Sequence, residues 1–193
     1  MKRNLSYLKS EMFSTLCLDK YKVIHFEGLP NVDEIIKMVK YIREKDIKRE
    51  IKISVELERG YNEFKDLLSE DIDIFFAERV FAKLFDYENS EQTVKGIAQL
   101  VHSRAVVISP WGETGAKAFD NNTNTIYSSQ SFKPKDGVID TLGAGDTFLA
   151  ATLFALWILS YDLNASIELG CKVAGAKCGY YGFKHLHHFQ KYI

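Results

Sequence analysis

Cysteine is scarce in this chain: three in 193 residues, Cys17, Cys171 and Cys178. So small and odd a set makes no disulfide framework, and it fits thiols kept reduced in the cytoplasm. The CxxC and CxxH spacings of a zinc site are absent as well. Charge of one sign is also lacking. The 25 Lys and Arg nearly balance the 26 Asp and Glu, for a net charge of -1, so no broad field points to nucleic acid or to an anionic membrane as a partner. Long apolar runs are missing too. The most apolar stretch, 148–159, is too short to span a bilayer and reads as a buried helix. The opening MKRNLSYLKS has no apolar core and does not read as a signal peptide. The sequence shows no repeat, no low-complexity stretch and no interdomain linker. It contains neither the Walker A lysine pattern nor the three-glycine dinucleotide fingerprint, which removes the commonest phosphate-loop alternatives.

What is present suits one globular domain over 1–193. Hydrophobic residues make up 46% and charged residues 26%, an ordinary balance for a chain long enough to bury a core. Residues 1–20 are weakly periodic and read as irregular or partly helical. Strands are expected at 21–27, 51–57, 72–76 and 104–109. Between them fall helices at 32–45, with Asn31 as N-cap, at 62–68, at 80–84 and at 91–101 behind a Ser90 cap. The charge-rich segment 40–52 reads as a solvated helix end and loop. This alternation favours an α/β fold with a mostly parallel central sheet flanked by helices. Two further short strands, 116–119 and 125–129, join through a turn at 120–122. A polar loop at 132–137 and helices near 144–160 and 164–178 follow. The tail holds His185, His187 and His188, and a solvated tail is a better reading of these than a metal site.

The strongest chemical signal is Asp140-Thr141-Leu142-Gly143-Ala144-Gly145-Asp146-Thr147, directly before the long apolar helix. Glycines let a backbone turn tightly and approach a ligand closely. A helix N-terminus offers unpaired N–H groups and a partial positive charge, both suited to phosphate. The amides of Gly143, Ala144 and Gly145 can therefore form an anion hole for a transferring phosphoryl group. Asp146, in the first helical turn, can take the proton from an attacking hydroxyl, in a reaction that otherwise needs mainly positioning and charge neutralisation. The bland alternative is a capping turn, with glycines for geometry and Asp146 for the helix dipole.

The string DTLGAGDTF resembles the second signature of the PfkB, or ribokinase-like, carbohydrate kinases. IHFEG (24–28), ISVELE (53–58), the 111–116 segment, VIDTLGAGDTF (138–148) and GCKVAGAKCGYYGF (170–183) resemble the ketohexokinase branch of that family, in order and at nearly its spacing. The resemblance covers nearly the whole chain. It implies a ribokinase-like fold with the nucleotide-binding and catalytic half at 104–183. It also implies ATP and Mg²⁺ as cofactors, with K⁺ as a further one, and fructose or a related ketohexose as the substrate phosphorylated at O1. Asp146 would be the catalytic base and Gly143, Ala144 and Gly145 the anion hole. Trp111, Gly112, Glu113 and Gly115 would lie along the ATP phosphates and ribose. Phe132, beside Pro134, would border the adenine together with Phe148 and the small residues Cys171, Ala174 and Cys178, which share one helix face.

The family's sugar loop, its sugar-binding aspartate and most of its small β-lid find no counterpart in this sequence. Residues 3–5 match a point just after the lid strands. The lid is the family's homodimer surface, which leaves the oligomeric state open, and it leaves open a non-catalytic nucleotide-binding chain or a kinase for another sugar or nucleoside. Where many family members carry Asn-x-x-Glu, this chain has Phe76-Ala77-Glu78-Arg79, so no metal ligands are assigned. Glu56 and Glu58 lie on one side of their strand and could face the phosphates, although a solvated strand end is the commoner role.

Overall fold

The computed structural model describes residues 7–185. Residues 3–5, His187 and His188 lie outside the described residues. The chain opens with a single helical turn, α1 (Ser10–Phe13), and then alternates β1 (Val23–Phe26), α2 (Val32–Lys45), β2 (Lys52–Leu57), a 3-10 segment (Asn62–Ser69) and β3 (Ile74–Ala77). A short α3 (Arg79–Ala82), α4 (Ser90–Ala98) and β4 (Val106–Pro110) follow. The hairpin of β5 (Ala116–Asp120) and β6 (Thr125–Ser129) leads to α5 (Ala144–Trp157) and α6 (Leu163–Cys178). The six strands form one sheet in sequence order. β1 to β4 are parallel, and β5 and β6 extend the sheet antiparallel from β4.

β3 and β4 are largely apolar on both faces because helices cover both, whereas β1 and β2 are apolar on one face and carry His25, Ser54 and Glu56 on the other. On one face Ile53, Val55, Leu57, Phe75 and Val107 pack against α2, the 3-10 segment and α4. Val32, Ile35, Met38, Val39 and Ile42 supply the α2 stripe at the spacing of an amphipathic helix. On the other face Ile74, Phe76, Ile108 and Ala118 pack against Phe148 and Leu149 of α5 and Ile167 and Cys171 of α6. Phe76 meets Phe148 edge-on, with ring centroids 6.4 Å apart. The first turns of α5 are thus seated on the end of β3, and burying one such ring is worth about 1.5–3 kcal/mol.

Some local expectations change. Residues 62–69 wind as a 3-10 helix. Asn89 caps α4, its side chain accepting from the Gln92 amide, and Ser90 is the first helical residue. Asn31 stands at the head of α2 without a side-chain cap. Its amide instead reaches the Leu8 carbonyl. The charge-rich 40–52 segment is only partly wet. The Arg43 side chain is 10% exposed and donates to the carbonyls of Asp71 and Ile51 and to Asp73 Oδ2. That network ties the end of α2 to the starts of β2 and β3, at the sheet edge opposite the cleft described next.

Candidate active site

The carboxyl ends of β3 and β4, the loop at 131–138, the N-terminus of α5 and one face of α6 enclose a cleft of about 740 Å³. Open α/β sheets bind ligands at this edge. Eleven of the thirteen residues singled out from the sequence line it: Trp111, Gly112, Glu113, Gly115, Phe132, Ala144, Gly145, Phe148, Cys171, Ala174 and Cys178. Gly143 and Asp146 stand beside it, at the head of α5.

Local chemistry explains the shape. The 132–137 loop lies close on α6, so that a Cβ on Gly175 would come 2.2 Å from the Phe132 carbonyl oxygen. After β4, the Trp111 amide donates to the Gly115 carbonyl (2.7 Å). Gly115 has φ +90°, and a Cβ there would stand 2.0 Å from the Ser129 carbonyl oxygen, so only glycine fits. The Arg79 guanidinium lies 5.8 Å from the centre of the Trp111 ring. Arg79, Lys133 and Lys135 give one part of the cleft wall positive charge, while Phe132, Phe148, Cys171 and Ala174 make another part apolar. Burial raises the pKa of both the Cys171 and the Cys178 thiol, which fits packing roles and not reactive ones.

At the head of α5, Gly143 takes the left-handed conformation with φ +72°. A Cβ there would come 2.3 Å from Phe183 Cζ. The carbonyl of Gly143 accepts from both the amide and the hydroxyl of Thr147. The three amides expected to point at an anion are not equivalent. That of Ala144 is turned into the loop and donates to the Thr141 carbonyl (3.1 Å). Among the described residues no carbonyl or side chain takes the amides of Gly143 and Gly145, as befits the first turn of a helix.

A group of carboxylates faces these amides. A Cβ on Gly145 would lie 3.1 Å from Glu78 Oε1, which places Glu78 against the start of α5. Burial first, then the charges of Glu58 and Asp146, push the Glu78 carboxyl up to about 7. Glu56, 6% exposed, is also raised to about 7, by burial and then by Glu78, Glu58 and Asp146. Glu58 lies just past β2, half exposed and 3.7 Å from Arg59. Asp146 is exposed. Neither Glu56 nor Glu78 pairs with a basic side chain among the described residues. Glu56 and Glu78 are thus a buried and a half-buried acid on neighbouring strand ends, and among the described residues no group of three or more His, Cys, Asp or Glu is placed to hold a metal ion.

Sequence reasoning missed Glu78, Arg79 and Lys177. Glu78 was visible only as a departure from a motif. Its contact with Gly145 depends on how α5 is seated on β3. Lys177 is 1% exposed, and nothing in its local sequence distinguishes it from a solvated helical lysine.

An α/β sheet whose carboxyl edge meets a glycine-headed helix and a half-apolar, half-basic cleft is an arrangement suited to a nucleotide. The chain matches the pfkB family of carbohydrate kinases over residues 8–187 and belongs to that family. It is 32% identical to the ketohexokinase of Mus musculus over 184 residues, which is 93% of this chain and 60% of that protein. Its fold is similar to that of a ribokinase of Giardia lamblia, with a TM-score of 0.72 at 17% identity, over 94% of this chain and 62% of that one. It is also similar to the Arabidopsis thaliana ribokinase solved with ribose and ATP, with a TM-score of 0.67 at 19% identity, over 94% and 58% of the two chains. The chain thus spans about three-fifths of the length of these relatives. Among the described residues no helix is long and apolar enough to cross a membrane.

Proposed function

We propose that this chain carries the ATP site and catalytic base of a carbohydrate kinase that phosphorylates a ketohexose, fructose at O1. The observation that carries this reading is the pair of open amides, Gly143 and Gly145, at the head of α5, beside a cleft with basic and apolar walls. The purine would lie between Phe132 and the Cys171–Ala174–Cys178 face of α6. Arg79, Lys133 and Lys135 would neutralise the phosphates along the 111–115 turn. Residues 104–183 would supply most of the site, with Glu78 and Arg79 added from the end of β3.

In the transfer step Asp146 accepts the O1 proton as the O1–P bond forms and the bond from the γ-phosphorus to the ADP oxygen breaks. The Gly143 and Gly145 amides meet the charge on the transferring group. Mg²⁺, brought with ATP, would neutralise charge on the phosphates, and among the described residues no cluster of three carboxylates is gathered to hold it. The ketohexose assignment rests on the 32% identity to mouse ketohexokinase, and fructose competes here with other sugars and nucleosides.

The test is ADP release by the purified chain with ATP and Mg²⁺, with and without fructose. Fructose-stimulated release is expected, with a loss of at least about a hundredfold in Asp146→Asn. Stimulation by another sugar in place of fructose would correct the substrate. The alternative reading is a chain that binds nucleotide without turning it over. Retained ADP binding with no sugar-stimulated release would select it.

A further inference from the structure

The loop that presents the open amides is held from behind by a buried lysine. Lys177, in the last turn of α6, is 1% exposed. Its ammonium donates to the Asp140 carbonyl (2.9 Å), to Asp140 Oδ2 (3.0 Å) and to the Leu142 carbonyl (2.5 Å). An ammonium has three protons to donate, and all three are used. The Phe183 ring lies beside the ammonium, its centre 5.3 Å from Nζ. Asp140 is fixed in turn. Its carboxylate accepts from the Leu142 and Gly182 amides, and those bonds, with Lys177, hold it down at about 2, well below the usual carboxylate range.

The peptide plane explains why this matters to the site. The Leu142 carbonyl and the Gly143 amide belong to one planar trans unit, so they point in opposite directions. Holding the carbonyl on one side aims the N–H to the other, and that N–H is one of the two open amides at the head of α5. A positive charge on the carbonyl oxygen also polarises the N–H as a donor.

Two backbone carbonyls and a carboxylate oxygen around one centre are the ligands of a potassium-like cation. The resemblance implies K⁺ for this family. Here these oxygens are already taken by a cation that is part of the chain, so they do not fit a bound K⁺. We infer that Lys177 is the positioning residue of the anion hole and the built-in monovalent cation of this site. The inference rests on the nucleotide reading proposed above.

The test compares the affinities of ADP and the non-hydrolysable analogue AMP-PNP, each with Mg²⁺, by calorimetry on the full chain in choline, sodium and potassium chloride. Only AMP-PNP carries the γ-phosphate that would meet the Gly143 amide. The wild-type chain is expected to bind both nucleotides equally in all three salts. Lys177→Met is expected to keep its ADP affinity and to lose AMP-PNP affinity about tenfold, with recovery in ammonium or methylammonium chloride. AMP-PNP binding by the wild type that tightens about tenfold in potassium overturns the inference and leaves the nucleotide reading standing. Unchanged AMP-PNP affinity in Lys177→Met overturns it too, as does a loss that no small ammonium ion restores at an unchanged melting temperature. Should Lys177→Met fail to fold, the wild-type salt comparison decides alone. No binding of either nucleotide in any salt removes the nucleotide reading, and the inference with it.

Discussion

Replacing Glu56 with Gln should stabilise this protein, and by an amount that grows with pH. Glu56 stands on β2, 6% exposed, and its carboxyl is raised from 4.5 to about 7, first by burial and then by Glu78, Glu58, Asp146 and Glu27. The folded state therefore binds a proton more tightly than the unfolded chain. A raised carboxyl favours folding while it stays protonated, and that contribution is lost as pH rises from 4.5 through 7. A shift of this size corresponds to about 3 kcal/mol, which for a chain of this length is roughly 6–12 °C in melting temperature. Gln keeps the shape and never ionises. The difference in melting temperature between Glu56→Gln and wild type should be small at pH 5, grow through pH 7 and level off above pH 8. His25 titrates in an overlapping window with the opposite slope. Burial lowers it to about 4, so its contribution is lost as pH falls below 6.5. The assay must therefore compare variant with wild type at each pH, since the wild-type profile alone also carries His25 and the likewise raised Glu78. A difference that is the same at pH 5 and pH 8, or that shrinks with pH, would refute the placement of Glu56 among buried carboxylates.

Three further outcomes follow from the same geometry. Gly143→Ala forces a side chain onto a left-handed residue, 2.3 Å from Phe183 Cζ. It should cost about 1–3 kcal/mol in denaturant unfolding and weaken AMP-PNP binding more than ADP binding. Phe76→Ala removes the ring that seats α5 on β3 and should destabilise by about 3–5 kcal/mol, read by urea titration. A loss below about 1 kcal/mol would mean that α5 is held elsewhere. Of the cysteines, exposed Cys17 should react fastest with a chromogenic disulfide reagent. Cys171 and Cys178, whose thiols burial raises, should react slowly, and more slowly still with ADP present. Equal rates at all three would contradict the packing of α6.

How much of this was written in the sequence depends on the range of the interaction. The strands announce themselves as short β-rich runs, and DTLGAGDTF announces a glycine-headed helix, because both patterns are local. The cleft residues were legible through family likeness. Their convergence follows from the strand order, which the β-α-β rhythm alone does not fix. Smaller errors came from near-degenerate local choices. Asn89 and Ser90 are both good caps and stand side by side, and Phe64, Leu67 and Leu68 bury equally well from a 3-10 or an α turn. The features that matter most chemically were not legible. The rise of Glu56 and Glu78 comes from side chains on different elements. The burial of Lys177 comes from a loop 37 residues away. The engagement of the Ala144 amide depends on how one turn closes.

The central claim is that the head of α5 receives the phosphoryl group of a nucleotide, and backbone amide NMR tests it most directly. Titration with magnesium and AMP-PNP should shift the Gly143 and Gly145 amide resonances downfield. ADP should move them far less, and Ala144, tied to Thr141 (3.1 Å), should respond weakly to both. AMP-PNP binding that leaves Gly143 and Gly145 unmoved would place the phosphates elsewhere and contradict the account.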